Sequence, residues 1–230
     1  MCGRYSLAIA DPAQVRARFP IGESVEVRPR YNVAPGDDVL AVTTDKEGNP
    51  RGELLRWGLV PSWSKSPGSA AKMINARAET LSDRPAYRGA FERFRCLIPA
   101  DGFYEWRRPE TGPKQPFHIT RRDHELFAFA GLWSVWRRDS EVIRSCTIIT
   151  TAANEAVAEL HDRMPVILPR DREAAWLDAG TPPEVLHELL AGLGAESMAA
   201  REVSTAVNDA RHDEPDCLAA PAAPASQTLF

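Results

Sequence analysis

Apolar residues along this chain recur mostly with the two-residue period of half-buried strands, and only briefly with the spacing of a helix. Strands are predicted at residues 3–9, 39–44 and 54–59, the last two flanking the polar turn Asp45-Lys46-Glu47-Gly48-Asn49-Pro50. Four β-prone segments then follow in succession, at about 94–98, 103–107, 116–120 and 126–136, with a fifth at 142–151. Short strands are expected at 166–168 and 202–207. Asp11 followed by Pro12 marks a helix running to about Phe19. Further short helices are predicted at 76–81, at 154–160 with Asn154 as cap, at 172–177 and at 183–193. The stretch 61–72 is rich in Pro, Ser, Gly and Lys and reads as a loop.

Strands and helices do not alternate as βαβ units. The expected fold is therefore α+β: a single domain with a curved, mostly antiparallel, barrel-like β core and peripheral short helices. The 230 residues fit one large domain or two small ones, and no shift in composition marks a linker. The domain is expected to span 1–218, followed by a disordered Ala/Pro-rich tail at 219–230. A hydrophobic content of 43% is too rich for a disordered chain. No run approaches the ~18 apolar residues that cross a membrane. Met1-Cys2-Gly3-Arg4 leads into no apolar signal segment. A cytoplasmic chain with reduced cysteines is the expectation. Cys96 and Cys146 lie in apolar strand-like runs and read as small buried hydrophobes.

A net charge of −4 argues against a nucleic-acid partner when taken as an average. Its distribution changes that picture. Residues 1–110 carry 17 basic and 14 acidic side chains, and residues 111–230 carry 11 and 18. The window 51–95 has nine basic residues against four acidic ones. Screening limits each charge to ~8–10 Å, so this local excess matters more than the sum.

Three residues offer chemistry. A small second residue permits removal of the initiator Met, which would leave Cys2 with a free α-amine and a β-thiol on one residue. Their ordinary pKa values, ~7.7–8.0 and ~8.5, give both a nucleophilic form near neutrality. Such an aminothiol condenses with an aldehyde to a five-membered thiazolidine. On a strand, Glu105 shares a face with Phe103 and Arg107, while Tyr104 and Trp106 point opposite. A carboxyl beside aromatics is desolvated and suited to general-acid work. His161 follows a predicted helix, whose C-terminus favours an imidazolium. The same residues also fit plainer roles: an incidental second residue, a sheet-edge glutamate paired with an arginine, a surface residue at a helix end. No Gly-rich phosphate loop, HExxH, GxSxG or zinc-spaced Cys/His cluster occurs, so no cofactor and no metal are expected.

Taken together the motifs are specific. Met1-Cys2-Gly3-Arg4-Tyr5, Arg30-Tyr31-Asn32-Val33-Ala34-Pro35-Gly36 and Arg56-Trp57-Gly58-Leu59-Val60-Pro61-Ser62-Trp63 resemble the SOS-response-associated peptidase family. So do Ile74-Asn75-Ala76-Arg77-Ala78-Glu79-Thr80, Pro99-Ala100-Asp101-Gly102-Phe103-Tyr104-Glu105-Trp106 and His161-Asp162-Arg163-Met164-Pro165-Val166-Ile167-Leu168. The resemblance implies a sensor of abasic sites in single-stranded DNA. It implies a thiazolidine crosslink through Cys2 after Met1 removal, with some lyase and autopeptidase chemistry. It puts the active-site positions on Cys2, Asn75, Glu105 and His161. Beside these, Arg4, Arg77 and Arg163 are candidates for phosphate contacts. Trp63 and Trp106 are candidates for base stacking. Trp57, Trp133, Trp136 and Trp176 are assigned to the core. Ser64, after Trp63, departs from the second aromatic of the family pattern. The expected partner is single-stranded DNA containing abasic sites, met by a monomer associated with the nucleoid when on DNA. The competing readings are a thiol peptidase acting in trans, using Cys2 and His161, and a non-covalent single-strand-binding module.

Overall fold

The structure, a computed structural model, describes residues 2–9, 11–107 and 114–221. Among the described residues, thirteen strands and five α-helices are formed. The strands are β1 (Tyr5–Leu7), β2 (Arg30–Val33), β3 (Asp38–Thr44), β4 (Pro50–Trp57), β5 (Asn75–Arg77), β6 (Arg95–Ala100), β7 (Gly102–Arg107), β8 (Gln115–Arg121), β9 (Phe127–Arg138), β10 (Glu141–Ala152), β11 (Arg163–Pro165), β12 (Ile167–Leu168) and β13 (Met198–Glu202). The helices are α1 (Pro12–Arg18), α2 (Pro85–Arg93), α3 (Glu155–Ala158), α4 (Glu173–Leu177) and α5 (Pro183–Leu189).

Strands β4, β3, β6, β9 and β10 pair in that order, and β10 returns to β4, closing a five-stranded barrel. Only the closing pair runs parallel, with Ser145 opposite Arg56 and Cys146 opposite Trp57. The far end of β10 also carries β5 in parallel and β11 antiparallel. A second, wholly antiparallel sheet runs β13–β8–β7–β1–β2. The expected α+β class and barrel-like core are thus observed. Closure removes exposed strand edges from the barrel.

Barrel and sheet share one apolar cluster. Tyr5 of β1 meets Trp57 and Phe129 edge-on, with centroids 5.5 and 5.6 Å apart, and Phe103 of β7 meets Phe129 at 6.2 Å. Cys96, Cys146 and the four tryptophans assigned to the core are buried as expected. A Cβ on Gly131 would lie 2.8 Å from Cys96 Sγ, so glycine lets β9 approach β6 there. Buried Arg95 donates to the carbonyls of Phe91, Glu92, Trp176 and Asp178, satisfying the ends of α2 and α4. The Asp11 and Asn154 side chains cap α1 and α3, as their positions suggested.

Several elements differ from expectation. Residues 76–81 do not form a helix: β5 pairs with β10, and a 3₁₀ turn (Ala78–Thr80) follows. Tertiary pairing overrides local propensity here, because Ala76 is buried between two exposed-side neighbours. Strand β13 begins at Met198, earlier than the expected 202–207, which instead holds a 3₁₀ turn capped by Ser204. Strand β2 was not anticipated; the Asp213 carboxylate, far along the chain, accepts from the backbone N–H of Tyr31 and Asn32. Helix α2 was also missed, although Pro85 stands at its first turn. The first residues of the expected tail are docked, with Ala219 O accepting from Ser204 N, and residues 222–230 lie outside the described residues. Among the described residues, no helix is long and apolar enough to cross a membrane.

Candidate active site and nucleic-acid interface

Cys2 lies just before β1, whose pairing with β7 fixes the start of the chain: Tyr5 opposes Phe103, and Tyr104 N donates to Arg4 O at 3.0 Å. The Cys2 side chain is fully buried, and its carbonyl accepts a 2.8 Å hydrogen bond from Asn75 Nδ2. Its Sγ lies 3.8 Å from Arg4 O. Burial pushes the thiol far above its ordinary range, and the Glu105 charge pushes it further. The thiol is therefore protonated at neutral pH.

Glu105 obeys the alternation of β7. It shares the core-facing side with Phe103, while Tyr104 and Trp106 pack into a separate cluster with Tyr31, Val203 and Val207. Only 4% of Glu105 is exposed. Burial pushes its carboxyl up to about 7, and the charge of Asp162 adds to the rise. That value divides Glu105 between acid and base near neutral pH.

The strand conformation of β5 has a consequence for the site. A helix would turn residues two apart to opposite sides, at ~200°. A strand puts Asn75 and Arg77 on one face, with Ala76 buried behind them. Asn75 Oδ1 is buried and has no hydrogen-bond partner among the described residues, so Asn75 holds Cys2 with its amide and presents an unused acceptor.

His161 follows α3, and its N–H donates to Val157 O at 3.0 Å. Its Nδ1 accepts from Arg163 N at 2.9 Å and also stands 2.7 Å from Asp162 Oδ1. These contacts require different protonation at Nδ1. The backbone N–H is fixed, whereas the Asp162 side chain is 85% exposed and free to reorient. The former makes Nδ1 an acceptor in this structure.

The five expected DNA contacts separate into two groups. Arg77 and Trp63 line a groove of about 410 Å³ that includes Asn75, Thr80, Arg84 and Tyr87. Trp63 is 67% exposed. Arg4, by contrast, turns inward: its NH1 donates to Asn32 Oδ1 and Val207 O, both at 2.8 Å. Arg163 holds Glu79 through two hydrogen bonds of 2.7 and 2.9 Å and donates to Thr150 O. Trp106 donates from Nε1 to Asn208 Oδ1 at 2.7 Å. These three residues tie distant segments of the polypeptide together in this structure. Sequence reasoning missed Arg84 and Tyr87, the latter donating to Asn75 O at 3.2 Å. The signal available for both was the Pro85 helix start inside the basic window.

The SOS response associated peptidase model matches residues 1–210. This chain belongs to the SOS-response-associated peptidase family. Among its relatives is the abasic site processing protein YoaM of Bacillus subtilis (strain 168), 43% identical over 225 residues that cover 95% of this chain and 97% of that one. The abasic site processing protein HMCES of Xenopus tropicalis is 30% identical over 270 residues, covering 96% and 78%. A solved structure from Bacteroides thetaiotaomicron shares the fold with a TM-score of 0.85 at 26% identity, covering 95% of this chain and 99% of that one. In this chain Asn75 bonds the Cys2 carbonyl, the Glu105 charge acts on the Cys2 thiol, and the Asp162 charge acts on Glu105.

Proposed function

We propose that this protein captures abasic sites in single-stranded DNA by forming a thiazolidine through Cys2 once Met1 has been removed. The observation that carries the reading is the treatment of Cys2. Its carbonyl is pinned by Asn75, its thiol is kept neutral by burial, and a carboxyl that titrates near 7 stands beside it. A peptidase acting in trans through this residue would need a thiolate, and burial holds the Cys2 thiol protonated.

The chemistry follows from these residues. An abasic deoxyribose rests mainly as a closed hemiacetal. Protonated Glu105 donates to the ring oxygen, and its carboxylate form accepts the hydroxyl proton, so the aldehyde opens. The neutral Cys2 amine adds to C1′ and water leaves, forming a Schiff base. The S–C1′ bond then forms while the thiol proton passes to the imine nitrogen, closing the five-membered ring. One water is released overall. His161, on the turn after α3, serves proton transfer to the departing oxygen. Each such general acid or base contributes ~10²–10⁴-fold. Asn75 Oδ1 accepts from the bound sugar, while Arg77 and Trp63 hold the flanking phosphate and base.

Intact mass spectrometry after incubation with an abasic single-stranded oligonucleotide tests the reading. The wild type is expected to lack Met1 and to gain the mass of the DNA less one water. Cys2→Ala and an N-terminally acetylated protein are expected to form no stable adduct. An adduct that survives denaturation in the acetylated protein would exclude the thiazolidine.

A further inference from the structure

The groove beside Asn75 does not end at Trp63. Trp63, Pro85 and Ala86 also wall a second groove, of about 480 Å³, that continues to Phe94, Trp133 and Arg137. Its floor is one face of α2. Pro85, Ala86, Gly89, Ala90 and Arg93 recur there at helical spacing, and the first four present little beyond a Cβ. Phe94 is 42% exposed and meets Trp133 edge-on at 5.2 Å, so one aromatic face stays open to solvent. Arg93 and Arg137 are exposed along this groove and Arg84 along the adjoining one, and among the described residues no acidic side chain pairs with them. Exposed aromatic faces alternating with unpaired guanidiniums, over a flat floor of small side chains, suit stacked bases on a charged backbone. The arrangement is sequence-tolerant, as every base has a π face.

We propose that this second groove carries the single-stranded DNA flanking the abasic nucleotide on one side, with bases against Trp63 and Phe94 and phosphates on Arg84, Arg93 and Arg137. The proposal rests on the abasic-DNA reading of the adjoining site. The nine residues of α2 span ~13 Å, the length of about four stacked nucleotides at ~3.4 Å each. The lesion flank on that side is then held along the helix, and the flank on the other side is not.

The test uses the full-length protein, an Arg93→Glu/Arg137→Glu double variant and Gly89→Glu. A Cβ at Gly89 meets only Arg93 NH2, at 3.7 Å, so the replacement fits while placing a carboxylate on the floor. Binding is measured to three single-stranded oligonucleotides, with the abasic nucleotide at one end, at the other end, or central. Thermal melting confirms that each variant is folded. Both variants should lose at least tenfold in affinity for the central substrate and for one end-placed substrate, and bind the other end-placed substrate as the wild type does. The salt slope of the double variant should fall by about 1.4, two phosphate contacts at ~0.7 each. Wild-type affinities and slopes for all three substrates would overturn the proposal, as would equal losses on all three. An acidic apolar peptide that displaces no DNA yet binds the groove would overturn it too. The two readings fail separately. No adduct from the wild type on any substrate defeats the abasic reading, whereas wild-type adducts with unaffected variants defeat only the groove.

Discussion

The substitution Glu105→Gln removes the one carboxyl beside Cys2 and keeps its shape. Burial raises that carboxyl from an ordinary 4.5 to about 7. The folded chain therefore binds a proton that the unfolded chain has lost between these two values. Stability must fall as pH rises through that window, with the full cost present above 7. At ~1.4 kcal/mol for each tenfold in the proton equilibrium, the cost is about 3 kcal/mol. Glutamine does not ionise, so Glu105→Gln should exceed the wild type in stability by under ~1 kcal/mol at pH 5 and by up to about 3 kcal/mol at pH 8.5. In a chain of this size that corresponds to a gain of roughly 6–12 °C in Tm. Thermal melting by circular dichroism across this range reads the difference directly.

The same substitution separates the kinetic roles. In the proposed mechanism ring opening starts from protonated Glu105, so the wild-type crosslinking rate should fall as pH rises through about 7. The free Cys2 amine gains with pH through its own ~7.7–8.0, so the wild-type profile is bell-shaped. Single-turnover adduct formation on denaturing gels should show only the rising limb for Glu105→Gln, at a rate at least tenfold lower near neutrality. A Tm difference that is the same at pH 5 and 8.5 would refute the assignment of a raised carboxyl. An unchanged rate profile would refute its part in the chemistry.

Other perturbations give equally direct readings. Asp162→Asn removes a charge that raises Glu105, so the falling limb should move to lower pH; a limb that stays in place would show that the coupling between Asp162 and Glu105 is absent. Arg77→Ala should weaken binding to single strands regardless of sequence and reduce the salt slope by about 0.7, measured by titration at several salt concentrations. Gly102→Ala would put a Cβ 2.0 Å from His118 Nε2, in a ring sandwiched beside Tyr104; a loss of at least ~1–3 kcal/mol in a denaturant titration is expected, without change in the pH dependence of crosslinking.

The strands of the barrel were legible because each buries one face, and alternation survives wherever that holds. The caps Asp11 and Asn154 were legible because a cap is a local hydrogen bond. Strands β2 and β5 were not, because long-range partners make them. Asp213 holds β2, and β10 recruits β5 from a segment with helical composition. The site showed the same division. Cys2, Asn75 and Glu105 were named from motifs, and they converge through pairings that the motifs do not describe. Arg4 and Arg163 were expected to face DNA because they flank those motifs. Their guanidiniums instead reach oxygens of Asn32, Val207, Glu79 and Thr150, contacts with partners up to 203 positions away. Adjacency in sequence to a reactive residue says little about where a long side chain points, because tertiary acceptors decide that.

Net charge misled for a related reason. A guanidinium acts over ~8–10 Å, so the charge that matters to a strand in a groove is the charge on its walls. Some of the carboxylates are taken up elsewhere: Asp213 binds Arg30 and the backbone of β2, Glu53 binds Arg144, and Glu173 binds Arg18. These carboxylates are neutralised within the fold, while Arg77, Arg84, Arg93 and Arg137 remain exposed along two connected grooves. A chain can therefore carry a formal charge of −4 and still present a continuous cationic path to a single strand. The proposed covalent bond at one end of that path also lowers the demand on it. With the proposed thiazolidine, the grooves would need only to align the strand, and a strongly basic surface would add affinity for every undamaged strand in competition with the lesion.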